Sequence, residues 1–138
     1  GIGSADHVEA HALARVQQAS ALLDAIAVLP DPQVALRLLR HCSGFSRLVH
    51  TMRCCPLSSH SAALTHYDKL VQTCLSSFTG LHLTDSQWRQ ACRGLAHAGL
   101  GLRSVAAHAP AAYLASVGGC AVQCGELDAE NLRLPLLE

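Results

Sequence analysis

Apolar residues recur along this chain at helical spacing. Over residues 5–28, Val8, Ala12, Val16, Ala19, Leu22 or Leu23, and Ile26 fall on one stripe at about 100° per residue. A first helix is predicted there, with Ser4 or Asp6 as its cap. It ends at Leu29-Pro30-Asp31-Pro32, because each proline disfavours the helical state in the residue before it. The same break opens a second helix, with Asp31 as N-cap and Pro32 at the first helical position, where its missing N–H costs nothing. That helix is predicted to run to Arg53 and stop at Cys54-Cys55-Pro56. A third covers residues 59–78 and is stopped by Gly80. A fourth starts from the capping box Thr84-Asp85-Ser86-Gln87 and continues to Ala98, with Gly94 weakening its middle. Gly99-Leu100-Gly101-Leu102 is too rich in glycine for helix and reads as a turn. A short helical turn follows at residues 104–108. Pro110 then opens a fifth helix through Val117, closed by Gly118-Gly119, and the tail from Glu126 holds one more turn before Pro135. β-Branched and aromatic runs are nearly absent. The expected fold class is all-α, a compact bundle of five helices with short Pro/Gly-rich connections.

The faces of the second helix differ in chemistry. Ala35, Leu38, Leu39, Cys42, Phe45, Val49 and Met52 cluster on one side, and Arg37, Arg40, His41 and Arg47 on the other, with Gly44 between them. Guanidinium groups pair bidentately with phosphate oxygens, and Gly44 gives close access to the backbone. A solvated helix face explains the same pattern.

Composition narrows the picture. The chain has 138 residues, half of them apolar but only 4% aromatic, so its core is built from Ala, Leu and Val. Ten basic and ten acidic side chains cancel, which excludes a strongly basic nucleic-acid binder on bulk charge and leaves room for a local basic face. No stretch of roughly 20 uninterrupted apolar residues marks a membrane span, and no signal peptide is visible. Seven cysteines, an odd number in an apolar chain, read as reduced thiols in an intracellular protein, nuclear or cytoplasmic. The chain begins with Gly1, which reads as a fragment, a processed product or a cloning remnant at Gly1-Ile2-Gly3-Ser4.

Candidate chemistry is sparse. Cys42, Cys54, Cys55 and His60, or Cys120 and Cys124, invite a zinc reading, but none matches paired Cys-x₂-Cys and His-x₃₋₅-His spacing. The chain has no Gly-x-Ser-x-Gly elbow, no Gly-x₄-Gly-Lys-Ser/Thr loop, no His-Glu-x₂-His and no paired carboxylates for two metal ions. No cofactor, no metal and no catalysis by this chain alone are expected.

Three segments carry a resemblance. They are Leu29-Pro30-Asp31-Pro32-Gln33-Val34-Ala35-Leu36-Arg37-Leu38-Leu39-Arg40-His41-Cys42, then Gly99-Leu100-Gly101-Leu102-Arg103-Ser104, then His108-Ala109-Pro110-Ala111-Ala112-Tyr113-Leu114-Ala115-Ser116. In this order and spacing they resemble the region just after the polymerase palm in reverse transcriptases of non-LTR retrotransposons. The resemblance covers residues 1–120, and Gly1-Ile2-Gly3-Ser4 is similar to the Pro-Ile-Gly segment at the end of that palm. It implies a thumb-like three-helix segment over residues 1–80 and a downstream connection segment over residues 81–138, packed on it as one unit. The implied partners are an RNA–DNA or DNA duplex, held weakly by this piece alone, and the palm of the parent chain. The nucleic-acid-binding set it implies is Arg37, Arg40, His41, Gly44 and Arg47. Tyr67-Asp68-Lys69 is not the catalytic Tyr-x-Asp-Asp motif, because it lies in a predicted helix and lacks the second aspartate.

Two other readings stand beside this one. One is a helical protein-interaction module or degenerate retroelement remnant, which self-associates through an exposed apolar face and has no nucleic-acid binding. The other is a zinc-stabilised domain. No membrane partner is expected under any of the three.

Overall fold

The computed structural model of the protein describes residues 4–43 and 45–127. Six α-helices, α1 (Ala5–Ala27), α2 (Pro32–Leu38), α3 (Val49–Cys54), α4 (Ser61–Thr79), α5 (Asp85–Ala91) and α6 (Val105–Leu127), are linked by short 3-10 turns and one π turn. No strand is present among the described residues, and the fold is all-α.

The caps explain where helices start. Ser4 Oγ accepts from the His7 amide, so Ser4 and not Asp6 caps α1. Asp31 Oδ1 accepts from the Gln33 and Val34 amides at 2.8 and 3.3 Å. Thr84 and Gln87 bond reciprocally, the capping box read from the sequence. Gly80 ends α4 in the left-handed region, φ +70°, which glycine adopts without a Cβ penalty.

The core forms where α1 lies along α4. Val8, Ala12, Val16, Ala19, Leu23 and Ile26 are buried, so Leu23 and not Leu22 completes the α1 stripe. Ala63, Leu64, Tyr67, Val71, Cys74 and Leu75 face them from α4. The Cys74 thiol donates to the Leu23 carbonyl at 3.3 Å, and burial pushes its pKa up to about 11. Trp88 and Ala91 of α5, Leu102, and Val105 and Ala109 of α6 complete this core.

The second predicted helix is not continuous. It runs as α2, opens into a π turn at Leu39–Ser43, passes through a 3-10 turn at Phe45–Arg47 and resumes as α3. The buried positions record the break. They fall at Ala35, Leu39 and Ser43, then at Leu48 and Met52, whereas Cys42, expected inside, is exposed. A π turn widens the helix to an i→i+5 repeat and shifts the inward register. Three bonds hold it open. Ser43 Oγ bonds the Leu38 and Leu39 carbonyls at 3.4 Å, and the buried Tyr67 hydroxyl donates to the Ser43 carbonyl.

Two further expectations are corrected. The fourth helix stops at Ala91, not Ala98, because Leu100 N donates to the Ala91 carbonyl and Gly101 N to that of Arg93, at 3.0 and 2.9 Å. These bonds fold the chain back on the helix end. The last two predicted pieces form one helix, α6, which contains Pro110 and runs through Gly118 and Gly119. Its first turn is nucleated from outside. Asp68 Oδ1 accepts from Val105 N at 2.8 Å, Asp68 Oδ2 from Ala106 N at 3.3 Å and Ser104 Oγ at 2.6 Å, and Ser104 Oγ accepts from Ala107 N. The His108 amide makes the first i→i−4 bond of the helix, to the Ser104 carbonyl, so the three preceding amides, Val105, Ala106 and Ala107, which a helix leaves orphaned, all have acceptors. The helix therefore starts at Val105, capped by Asp68, and not at Pro110. Glycines in a helix interior cost only about 1 kcal/mol each relative to alanine, too little to stop it. By length and composition alone, α6 is long and apolar enough to cross a membrane, a property the search for uninterrupted apolar runs missed. The turn expected before Pro135 lies largely outside the described residues.

Candidate functional site

The π turn and the Gly101–Arg103 stretch border an open pocket of about 260 Å³. Leu39, Phe45, Val71 and Leu102 form its apolar wall, and Arg40, His41, Ser46 and Arg103 supply its polar groups. Arg40 lies on the backbone of Gly101. A methyl group on Gly101 would stand 3.0 Å from the guanidinium nitrogens, and the residue has φ +69°. Glycine is needed there for the close approach and for the backbone conformation. Arg40 Nε is buried without a hydrogen-bond partner, and among the described residues Arg40 makes no ion pair. The Arg103 guanidinium sits 5.4 Å from the centroid of the Phe45 ring, within cation–π range. His108 packs its edge against the same ring, with centroids 4.9 Å apart at 79°. Phe45 thus contacts both Arg103 and His108.

The structure divides the residues predicted from the sequence. Arg40 and His41 line the pocket. Arg37 is exposed on α2 and does not line it. Arg47 is also outside it, and its Nε donates to the Cys42 carbonyl at 2.9 Å, tying the side chain to its own turn. Gly44 lies outside the described residues. The predicted helix is broken between Arg40 and Arg47, and the pocket takes in Arg40 and His41 but not Arg37 or Arg47. Arg103, Gly101, Phe45 and His108 were missing from the predicted set. Their signal was present in part, since Arg103 directly follows the Gly99-x-Gly101 turn and His108 opens the third segment of the resemblance. No local pattern reports that these segments meet Arg40.

Tyr67 and Asp68 serve the scaffold. Burial pushes the Tyr67 hydroxyl up to about 12, with the positive charge of Arg47 pulling the other way. Burial also raises the Asp68 carboxyl above its ordinary range, and the donors from Ser104, Val105 and Ala106 partly offset this. Among the described residues no group of three His, Cys, Asp or Glu side chains converges on a point where a metal ion would sit. The exposed Cys54 thiol lies 3.7 Å from His50 Nε2, one turn apart on α3.

Comparison with protein-family models, curated proteins and solved structures finds no match for this chain.

Proposed function

We propose that the chain is a non-catalytic helical element of a retroelement-type RNA-directed DNA polymerase, and that it positions a primer–template duplex through contacts to phosphate. One observation carries the reading. The first two segments that resemble that family lie about 60 residues apart and meet at one pocket, where Arg40 of the first rests on Gly101 of the second; His108 of the third packs on Phe45, a residue of the pocket wall. A polymerase accepts any template, and phosphate contacts supply affinity without reading bases. The Tyr67 hydroxyl and Asp68 carboxylate are occupied by structural bonds, which fits a positioning role; the chemistry falls to the palm of an intracellular parent in this reading.

The test is titration of the intact chain with an RNA–DNA hybrid over a range of salt. Binding is expected to weaken as salt rises, with a slope set by a few phosphate contacts. Arg40→Gln with Arg103→Gln is expected to lower affinity at least tenfold, while Arg37→Gln changes it little. Absence of salt-sensitive binding, together with concentration-dependent self-association, would support the interaction-module reading instead.

A further inference from the structure

We propose that the pocket between Arg40 and Arg103 is a discrete receptor for one terminal phosphate, the 5′-phosphate of a nucleic-acid strand, and not a stretch of rail for duplex backbone. The inference rests on the nucleic-acid reading above and narrows it.

Shape gives the first argument. Arg40 approaches from the π turn, and Arg103 from the segment after Gly101, so the two guanidinium groups line one cavity from two chain segments. At about 260 Å³ the cavity lies below the roughly 300–1,000 Å³ typical of sites for drug-sized ligands. A phosphodiester within a duplex carries carbon on two ester oxygens and lies on a convex surface. It can meet the arginines at the mouth of such a pocket, with strand on both sides. A terminal monoester has one ester link and three free oxygens, and it enters end-on.

Charge gives the second. A phosphate monoester carries about −1.5 to −2 at neutral pH, which two guanidinium groups match. Arg40 reaches the cavity with a buried Nε that lacks a partner, and the apolar wall of Leu39, Val71 and Leu102 strengthens any charge interaction inside. An arginine half-buried against a glycine and bonded to no carboxylate among the described residues is a costly arrangement unless an anion completes it.

The experiment uses the intact chain and two RNA–DNA hybrids of one sequence, one with a 5′-phosphate and one with a 5′-hydroxyl, read by fluorescence anisotropy. The phosphorylated hybrid is expected to bind at least tenfold more tightly. Arg103→Gln, an exposed position, is expected to erase that difference while leaving the melting temperature unchanged. Arg40→Lys, which keeps charge and loses the planar fork, should reduce it. Inorganic phosphate and adenosine monophosphate serve as competitors and should displace the strand only at concentrations far above its dissociation constant. Equal binding of the two hybrids would overturn the inference, and if Arg103→Gln still weakened both, the duplex reading would stand without it. Adenosine monophosphate binding as tightly as the strand would also overturn it, since the site would then take free nucleotide. Failure to bind either hybrid would remove both readings.

Discussion

A side chain at residue 101 would have to share space with the Arg40 guanidinium, and one at residue 99 would have to share it with backbone. A methyl group on Gly99 would stand 2.0 Å from the Arg93 carbonyl oxygen, an overlap that only movement of the main chain relieves. Gly101→Ala meets a flexible side-chain end at 3.0 Å and an unfavourable φ of +69°. We therefore expect Gly101→Ala to cost about 1–2 kcal/mol and Gly99→Ala distinctly more, measured by urea denaturation. Gly101→Ala should also weaken hybrid binding, because Arg40 must leave its seat. Gly99→Ala costing less than Gly101→Ala would show that the turn is held differently.

Two buried titratable groups set opposite pH trends at this scale. His60 is 1% exposed, its Nδ1 lies 2.8 Å from the Pro56 carbonyl, and its Nε2 has no partner. Burial lowers its pKa below the ordinary 6.5, with the Pro56 bond opposing. Its contribution to stability is therefore present above pH 6.5 and lost as pH falls through the lower folded value. Asp68 has the opposite sign. Its pKa is raised above 3.8, so its contribution is complete below 3.8 and lost as pH rises through the folded value. His60→Asn places an amide donor near Nδ1 and does not titrate. Thermal melts between pH 7.5 and 5.5 should show a smaller acid-side loss for His60→Asn than for the parent chain. An identical loss would mean that protonation of His60 does not drive it.

Elements were legible where local rules governed them. The α1 stripe, the Asp31 cap, the Thr84 capping box and the Gly80 stop follow from spacing and side-chain chemistry within a turn or two. The errors sit where a distant residue overrode those rules. Tyr67, 24 residues from Ser43, takes its carbonyl and holds the second helix open. Asp68 caps α6 from 36 residues away and starts the helix upstream of Pro110. Each override has its own test. Tyr67→Phe removes the bond to Ser43 and is expected to cost about 1–3 kcal/mol. It should also loosen the π turn and lower the affinity contributed by Arg40, whereas unchanged hybrid binding would separate the turn from the site. Pro110→Ala restores an amide donor to the Ala106 carbonyl in a helix already nucleated by Asp68. It is expected to raise stability by up to about 3 kcal/mol, and a lower melting temperature would show that Pro110 is required in place.

The site belongs to the whole molecule, and for that reason it was only half legible. Arg40 and His41 could be named from one helix face, but their partners lie about 60 residues further on. Zero net charge likewise hid a local excess, because Arg40 and Arg103 meet at a pocket with no ion-paired carboxylate among the described residues. Helix α6 raises the other question at this scale. No Asp, Glu, Lys or Arg occurs from Ser104 to Gly125, yet Val105 and Ala109 are buried against the bundle and no described residue beyond Ala109 is buried. Residues 110–127 extend about 27 Å at 1.5 Å per residue. Ala112 still packs on the protein core. This exposed half carries Leu114 and Val122, 60% and 70% accessible, an apolar surface that we expect a second copy of the chain to cover. Leu114→Gln with Val122→Gln should change the unfolding free energy by no more than about 0.5 kcal/mol, since neither side chain supports the core. At high concentration the parent chain should sediment as a larger species and the double variant as a monomer. A stability loss above about 1 kcal/mol would instead place this half of α6 against the bundle.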